Sequence, residues 1–281
     1  MNFSSLMLGT VQFGLNYGVA NTHGKPSFET VKKILKTAAD AGITALDTAA
    51  AYGDSEIVLG KALKELGLQD KMSIVSKIPP IPENVDPLEF IETSVRNSLE
   101  RLQIPVIPVI LFHREENHRY LPLLRTLIDK GMILGAGVSL DSLPYAGVAD
   151  TVPYVQVPCN VMDHRFDGAI RNHKEGHIFI RSVYLQGMLL MPEEKILPGL
   201  VQWRRKLEAF GLPMNELCMR YLFSLPGRKS VLTGVDTPEQ LAENARIAAL
   251  GPLPEDLMKA VSETVPLLQE ELIRPGLWKK A

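Results

Sequence analysis

A short apolar run followed by an amphipathic stretch recurs along this 281-residue chain about every 25 to 40 residues. This alternation constrains the fold more than any other feature. Runs rich in Val, Ile and Leu suit strands buried on both faces, and such strands build parallel sheets joined by crossover helices. Eight strands are expected: Ser5–Gly9, Ile43–Asp47, Met72–Lys77, Val106–Phe112, Ile133–Val138, Tyr154–Pro158, His177–Ser182 and Ser230–Thr233. Helices are expected at Ser27–Ala41 (Ser27 as N-cap, Gly42 as stop), Ser55–Leu66 before Gly67, Pro87–Leu102 and Arg119–Lys130. A short one lies near Ser142–Ala149, and Leu200–Phe210 and Asn215–Ser224 precede the last strand. Pro238–Ala249 closes the set, with Glu255–Leu268 as an extra C-terminal helix.

Eight strands alternating with helices point to an α/β fold, a (β/α)8 TIM barrel, forming one domain across residues 1–281. An open dinucleotide-binding sheet would begin with a Gly-rich turn opening a helix. Here the first strand runs into Leu8-Gly9-Thr10-Val11-Gln12-Phe13-Gly14, without that fingerprint. In a barrel, residues at the C-terminal ends of the strands converge on one face, and chemistry sits there.

Composition narrows the function classes. Hydrophobic residues make up 46% and charged residues 22%, enough to bury a large core without disulfides or metals. The formal net charge of −2 gives no field for a nucleic-acid partner. Met1–Thr10 lacks a basic n-region and a long apolar stretch, so it reads as the first strand and not as a signal peptide. No run reaches the roughly 18 apolar residues of a membrane span. Cys159 and Cys218 lie in apolar surroundings and suit two buried thiols in a reducing cytoplasm.

The strand ends carry the chemistry. Strand two ends in Asp47, followed by Thr48 and Tyr52; strand three ends in Lys77; strand four ends in His113. Unpaired charges at neighbouring strand ends are costly to bury, so Asp47 and Lys77 are expected to pair. Reducing a carbonyl by hydride transfer puts negative charge on oxygen, which needs a proton donor close by. An unperturbed tyrosine has a pKa of roughly 10, and a neighbouring ammonium should lower it. Asp47 would keep Lys77 charged, and His113 would orient the substrate oxygen.

Leu46-Asp47-Thr48-Ala49-Ala50-Ala51-Tyr52-Gly53-Asp54-Ser55-Glu56 resembles the aldo-keto reductase signature. Ser76-Lys77 and Leu111-Phe112-His113-Arg114 resemble the family's next two motifs. The similarity continues through Gly137-Val138-Ser139, Gln156–Asn160, Arg181–Gly187 and Gly234–Asn244, and so covers nearly the whole chain. The resemblance implies Tyr52 as general acid, Lys77 and Asp47 as its tuning pair, and His113 as the group that orients the carbonyl. It also implies an NADP(H) cofactor, with NAD(H) as the other candidate. Gly9 and Thr10 match the turn beside the nicotinamide ribose, and Ser139 and Gln156 match the carboxamide-binding side chains. Gly234, Asp236, Gln240 and Asn244 match the segment that holds the adenosine end, where a helix start suits phosphate.

The sequence departs from the family pattern at several places. Leu140 stands where members usually have Asn, which removes one carboxamide hydrogen bond. Arg181 stands where an aromatic stacks on the nicotinamide; a guanidinium plane can stack, but it adds a positive charge. Asp236 replaces a small polar residue near the 2′-phosphate, and Gln240 offers an amide where many relatives have Arg. Arg204, Arg205 and Arg246 are candidates to reach that phosphate instead. Strand one also lies near the start of the sequence, where many members have a hairpin plugging the barrel bottom.

His173 and His177 have an i,i+4 spacing, but Gly176 interrupts it and no third ligand is apparent, so no metal is expected. The expected function is NAD(P)H-dependent reduction of an aldehyde or ketone to an alcohol. With only 6% aromatic residues, a small polar or sugar-like carbonyl suits the pocket better than a steroid. One alternative is an NADP-binding, redox-sensing regulatory subunit with little turnover, as in potassium-channel β subunits. A barrel aldolase using Lys77 as a Schiff-base amine is the other; the Asp47 partner argues against it by keeping the amine protonated. Oligomeric state is not legible.

Overall fold

The computed structural model describes residue 1 and residues 3–278. The remaining positions of the expected 1–281 domain lie outside the described residues. Eight parallel strands close on themselves in sequence order, each paired with the next and the last with the first. In chain order the elements begin with Leu6–Gly9 (β1), a single turn Val11–Gly14 (α1), Phe28–Asp40 (α2), Ala45–Asp47 (β2) and Ser55–Leu66 (α3). Ser73–Ile78 (β3), Pro87–Leu102 (α4), Ile107–Phe112 (β4), Leu124–Asp129 (α5) and Ile133–Ser139 (β5) follow. Tyr154–Pro158 (β6), Asp167–Asn172 (α6) and His177–Arg181 (β7) lead to Pro198–Glu208 (α7) and Met214–Ser224 (α8). Lys229–Gly234 (β8) completes the barrel, and Pro238–Ala249 (α9), Glu255–Thr264 (α10) and Glu270–Ile273 (α11) end the chain.

The helix boundaries have local causes. Ser27 Oγ accepts from the Thr30 N–H at the start of α2, and Asp86 Oδ1 accepts from Glu89 N–H at the start of α4. Gly67 caps the end of α3 at φ 63°, a conformation that suits glycine. The expected helix Arg119–Lys130 splits in two. A 3-10 segment runs Glu115–Leu123, and α5 begins only after Pro122, which lacks the N–H an α-helix needs. The short helix near Ser142 is likewise a 3-10 stretch, Leu143–Thr151. α10 stops at Thr264, short of the expected Leu268, because Pro266 holds Val265 extended. α1 and α6 are too short for sequence periodicity to reveal.

Two cores lie on either side of the barrel wall. Outward-facing strand residues such as Leu8, Leu46, Ile74 and Ile110 pack against the helices. Inward-facing Met7, Ala45, Val75, Val109, Leu111 and Phe179 fill the barrel with Phe3. Phe3 sits at the N-terminal end of the barrel, its ring centroid 5.0 Å from His177 and 5.2 Å from Phe179. Removing the Phe179 ring would empty the centre of this layer and cost about 3–5 kcal/mol.

Candidate active site

Strand alternation carries the inner core directly into the site. On six of the strands an inward-facing residue is followed two positions later by a polar one at the C-terminal mouth. Ala45 leads to Asp47, Val75 to Lys77, Leu111 to His113, Gly137 to Ser139, Tyr154 to Gln156 and Phe179 to Arg181. Lys77 Nζ donates to Asp47 Oδ1 at 2.6 Å and to the Thr48 carbonyl at 2.9 Å. Gln156 Nε2 donates to the same Asp47 oxygen at 2.7 Å.

Tyr52 is held by the loop after β2. Thr48 N–H and Ala50 N–H donate to Val75 and Lys77 carbonyls, which zips the loop onto β3. The Tyr52 N–H donates to the Ala49 carbonyl, and its own carbonyl accepts from Ser55 N–H at the start of α3. The α1 turn packs against this loop at Gly14, where a Cβ would fall 1.8 Å from the Tyr52 carbonyl oxygen. The half-buried Tyr52 ring lies 5.5 Å from the His113 ring at 85°, and 5.1 Å from Lys77 Nζ.

Burial, with the Asp47 charge adding to it, raises the Tyr52 pKa above its ordinary value, against a smaller opposing pull from Arg181. The expected lowering by Lys77 is therefore not the net outcome. Lys77 is engaged by Asp47, and the phenol is kept protonated. Burial lowers the Lys77 pKa, and Asp47 counters it. Burial, then Lys77, Arg181 and Arg114, push His113 down to about 3, so its imidazole is neutral at pH 7.

Two cavities meet at Tyr52, Gln156 and Arg181. One is a long cleft running past Gly9, Gln12, Gly187 and Gly234 to Asp236, Gln240, Glu243 and Asn244 at the start of α9. The other is a second pocket of about 380 Å³ that contains His113, Ser139 and Asp141. A helix start opening on a cleft favours phosphate. Gln12 Oε1 is buried there without a hydrogen-bond partner among the described residues.

The model of the aldo/keto reductase family matches residues 5–265. The chain belongs to the aldo-keto reductase family. It is 26% identical over 262 residues to the aldo-keto reductase YhdN of Bacillus subtilis, covering 78% of each chain. It is 32% identical over 126 residues to D-arabinose 1-dehydrogenase of Saccharomyces cerevisiae, covering 41% of this chain and 38% of that one. An aldo-keto reductase of Bacillus halodurans in its holo form superposes with a TM-score of 0.79 at 19% identity, over 98% of this chain and 96% of that one, which bears on the fold alone. Aldo-keto reductases are oxidoreductases that generally reduce carbonyls with NAD(P)H. No helix among the described residues is long and apolar enough to cross a membrane.

Within this aldo-keto reductase barrel the expected cofactor residues divide. Gly9, Gln156, Arg181, Gly234, Asp236, Gln240 and Asn244 line the cleft. Thr10 does not. Its hydroxyl is buried against the Asp47 carbonyl and Ser55 Oγ, tying β1 to α3. Ser139 lines the second pocket. Asn244 Nδ2 donates to Thr233 Oγ1, and Asn244 Oδ1 accepts from Tyr184 Oη. Gln240 Oε1 accepts from the Asp236 N–H at 2.7 Å. Arg181 Nη2 donates to Asp141 Oδ1 at 2.6 Å and to the carbonyl of Leu140, the residue standing in the usual Asn position.

The three arginines considered for the 2′-phosphate are engaged elsewhere. Arg204 pairs with Glu208, Arg205 with Glu193 and Arg246 with Glu243. Of the pair considered for a metal, His173 Nδ1 bonds the Ala149 carbonyl and His177 Nε2 bonds Ser230 Oγ. Tyr17, Asn21, Glu243 and Arg274 also border the two cavities and were not singled out in the sequence. Tyr17 and Asn21 sit on a loop and Arg274 on the tail, while Glu243 lies on α9 within the Gly234–Asn244 stretch.

Proposed function

We propose that this chain reduces a small aldehyde or ketone to an alcohol, with Tyr52 as the proton donor. The observation that supports this most is the position of Tyr52 where the two cavities meet, between a neutral His113 and the buried Lys77–Asp47 pair. NADP(H) or NAD(H) fits the long cleft by its length, its glycines, the unpartnered Gln12 oxygen and the helix start of α9. When bound, that cofactor supplies the hydride.

The chain's own residues then handle charge and protons. His113, neutral, donates a ring N–H to the substrate oxygen and fixes the carbonyl. Tyr52 stays protonated until negative charge develops on that oxygen. An alkoxide is a stronger base than a phenolate, so the proton moves from Tyr52 Oη to substrate oxygen. Lys77 faces the ring and stabilises the phenolate left behind, and Asp47 holds Lys77 in place. Gln156 and Ser139 would meet the carboxamide, Arg181 the ring face, and Gly9 the ribose. Thr10 acts through Asp47 and Ser55, without direct contact.

At the adenosine end, Gly234, Asp236, Gln240 and Asn244 would hold the nucleotide. Asp236 and Glu243 put two carboxylates on that part of the cleft, with no unpaired arginine lining it. This favours acceptance of NADH or a weak preference for NADPH. Cys159 and Cys218 are free and buried, which supports the reducing cytoplasm as its location. The test is a panel of small aldehydes, ketones and sugars assayed with NADPH and with NADH. Cofactor-dependent turnover supports the reading. Binding of either cofactor without turnover of any carbonyl would favour a regulatory subunit instead.

A further inference from the structure

The second pocket has an excess of positive charge in a chain whose formal net charge is −2. Three arginines border it. Arg114 directly follows His113 at the end of β4, Arg181 ends β7, and Arg274 comes from the segment after α11. Two carboxylates also border it, and both are fully engaged. Asp141 Oδ1 takes Arg181 Nη2 at 2.6 Å, and Asp141 Oδ2 takes Arg274 Nε at 2.5 Å. The buried Glu115 is turned away from solvent. Glu115 Oε2 accepts from Asp141 N–H at 2.6 Å and Ser142 N–H at 3.0 Å, while its Oε1 accepts from Ser142 Oγ.

This leaves Arg114 with no carboxylate within salt-bridge distance among the described residues, beside the group that faces Tyr52. Arg274 spends Nε on Asp141 and Nη1 on Glu270, so its Nη2 has no partner among the described residues. The rest of the wall includes Ala51, Pro80 and Tyr17. The low pKa of His113, to which Arg181 and Arg114 contribute after burial and Lys77, is consistent with a positive field in this pocket.

We infer that the pocket takes a carbonyl compound bearing an anionic group, a carboxylate or phosphate held by Arg114 with Arg274 beside it, while the carbonyl lies at Tyr52 and His113. This rests on the carbonyl-reductase reading and names the substrate class for the same site. A guanidinium fork matches either anion in a bidentate manner, which is why the charge and not the chain length would set the preference.

Matched substrates test it. Succinic semialdehyde against butanal isolates a carboxylate, and glyceraldehyde 3-phosphate against glyceraldehyde isolates a phosphate. In the wild type, kcat/KM should favour the anionic member of at least one pair by about tenfold or more. Arg114→Gln should reduce that ratio by about tenfold, with partial rescue in Arg114→Lys. In parallel, succinate and inorganic phosphate are titrated calorimetrically into the NADPH-saturated wild type and Arg114→Gln. Turnover of neutral aldehydes with ratios near one, or ratios that do not change in Arg114→Gln, would overturn the anionic pocket and leave the reductase reading standing. No turnover of any aldehyde, but anion binding that weakens in Arg114→Gln, would keep the anion pocket and remove the reductase reading. Neither turnover nor anion binding would overturn both.

Discussion

Lys77 Nζ and Asp47 Oδ1 lie 2.6 Å apart with side chains 0% and 4% exposed. A buried pair of this kind is expensive to break from one side, at about 3–5 kcal/mol, because the other charge is left behind. Lys77→Met should therefore lower Tm as well as activity. It should also raise the pH at which the remaining proton transfer titrates, because the phenolate loses its cationic neighbour. Asp47→Asn keeps the shape and an acceptor for Lys77 but removes a negative charge that raises the Tyr52 pKa, so it should move that pH downward. The check is a kcat/KM-against-pH profile of both variants beside the wild type. Unchanged profiles in both would remove the pair from the proton-transfer role.

Cofactor choice turns on Asp236. Its carboxylate accepts from Asn21 Nδ2 at 3.1 Å, and burial raises its pKa. A carboxylate at this position repels a 2′-phosphate but accepts from a ribose 2′-OH. Asp236→Ser should tighten NADPH binding and leave NADH binding nearly the same. Fluorescence titration of both cofactors into wild type and variant decides it, and an unaltered NADPH Kd would mean that Asp236 faces away from the phosphate.

Stability should fall on the acid side for a reason visible in two histidines. Burial, first among the causes, lowers His113 to about 3 and His177 to about 4, from an ordinary 6.5. Below 6.5 the unfolded chain therefore binds protons that the folded chain refuses. The stability these neutral histidines allow is fully present above 6.5 and is lost as pH falls toward their folded values. Asp141, held down to about 2 by Arg181 and Arg274 against the opposing effect of burial, adds a further loss below 3.8. Urea midpoints should drop between pH 6.5 and 4, and His177→Gln should flatten part of that slope. A slope that does not change in the variant would remove His177 from this account.

The barrel was legible because its strands are apolar runs of the right length at regular spacing, and all eight appear close to where the pattern puts them. Asp47, Lys77 and His113 were legible for the same reason, since a strand end is a readable place. What escaped detection depends on three-dimensional proximity. The pairing of Asp141 with Arg181 and Arg274 joins positions 40 and 133 residues apart, and no local pattern marks it. The engagement of Thr10 by Ser55, and the raised pKa of Tyr52, follow from burial, which a strand-end motif does not report.

The account centres on Tyr52 as the proton donor, and one variant tests that most directly. Tyr52→Phe keeps the ring between His113 and Lys77 and removes only the hydroxyl. Single-turnover reduction of a carbonyl by cofactor-saturated enzyme, followed by stopped flow, isolates the chemical step. The predicted result is a step slowed by at least about 100-fold, with cofactor Kd almost unaltered. A single-turnover rate near that of the wild type would contradict the assignment and move the proton source elsewhere in the site.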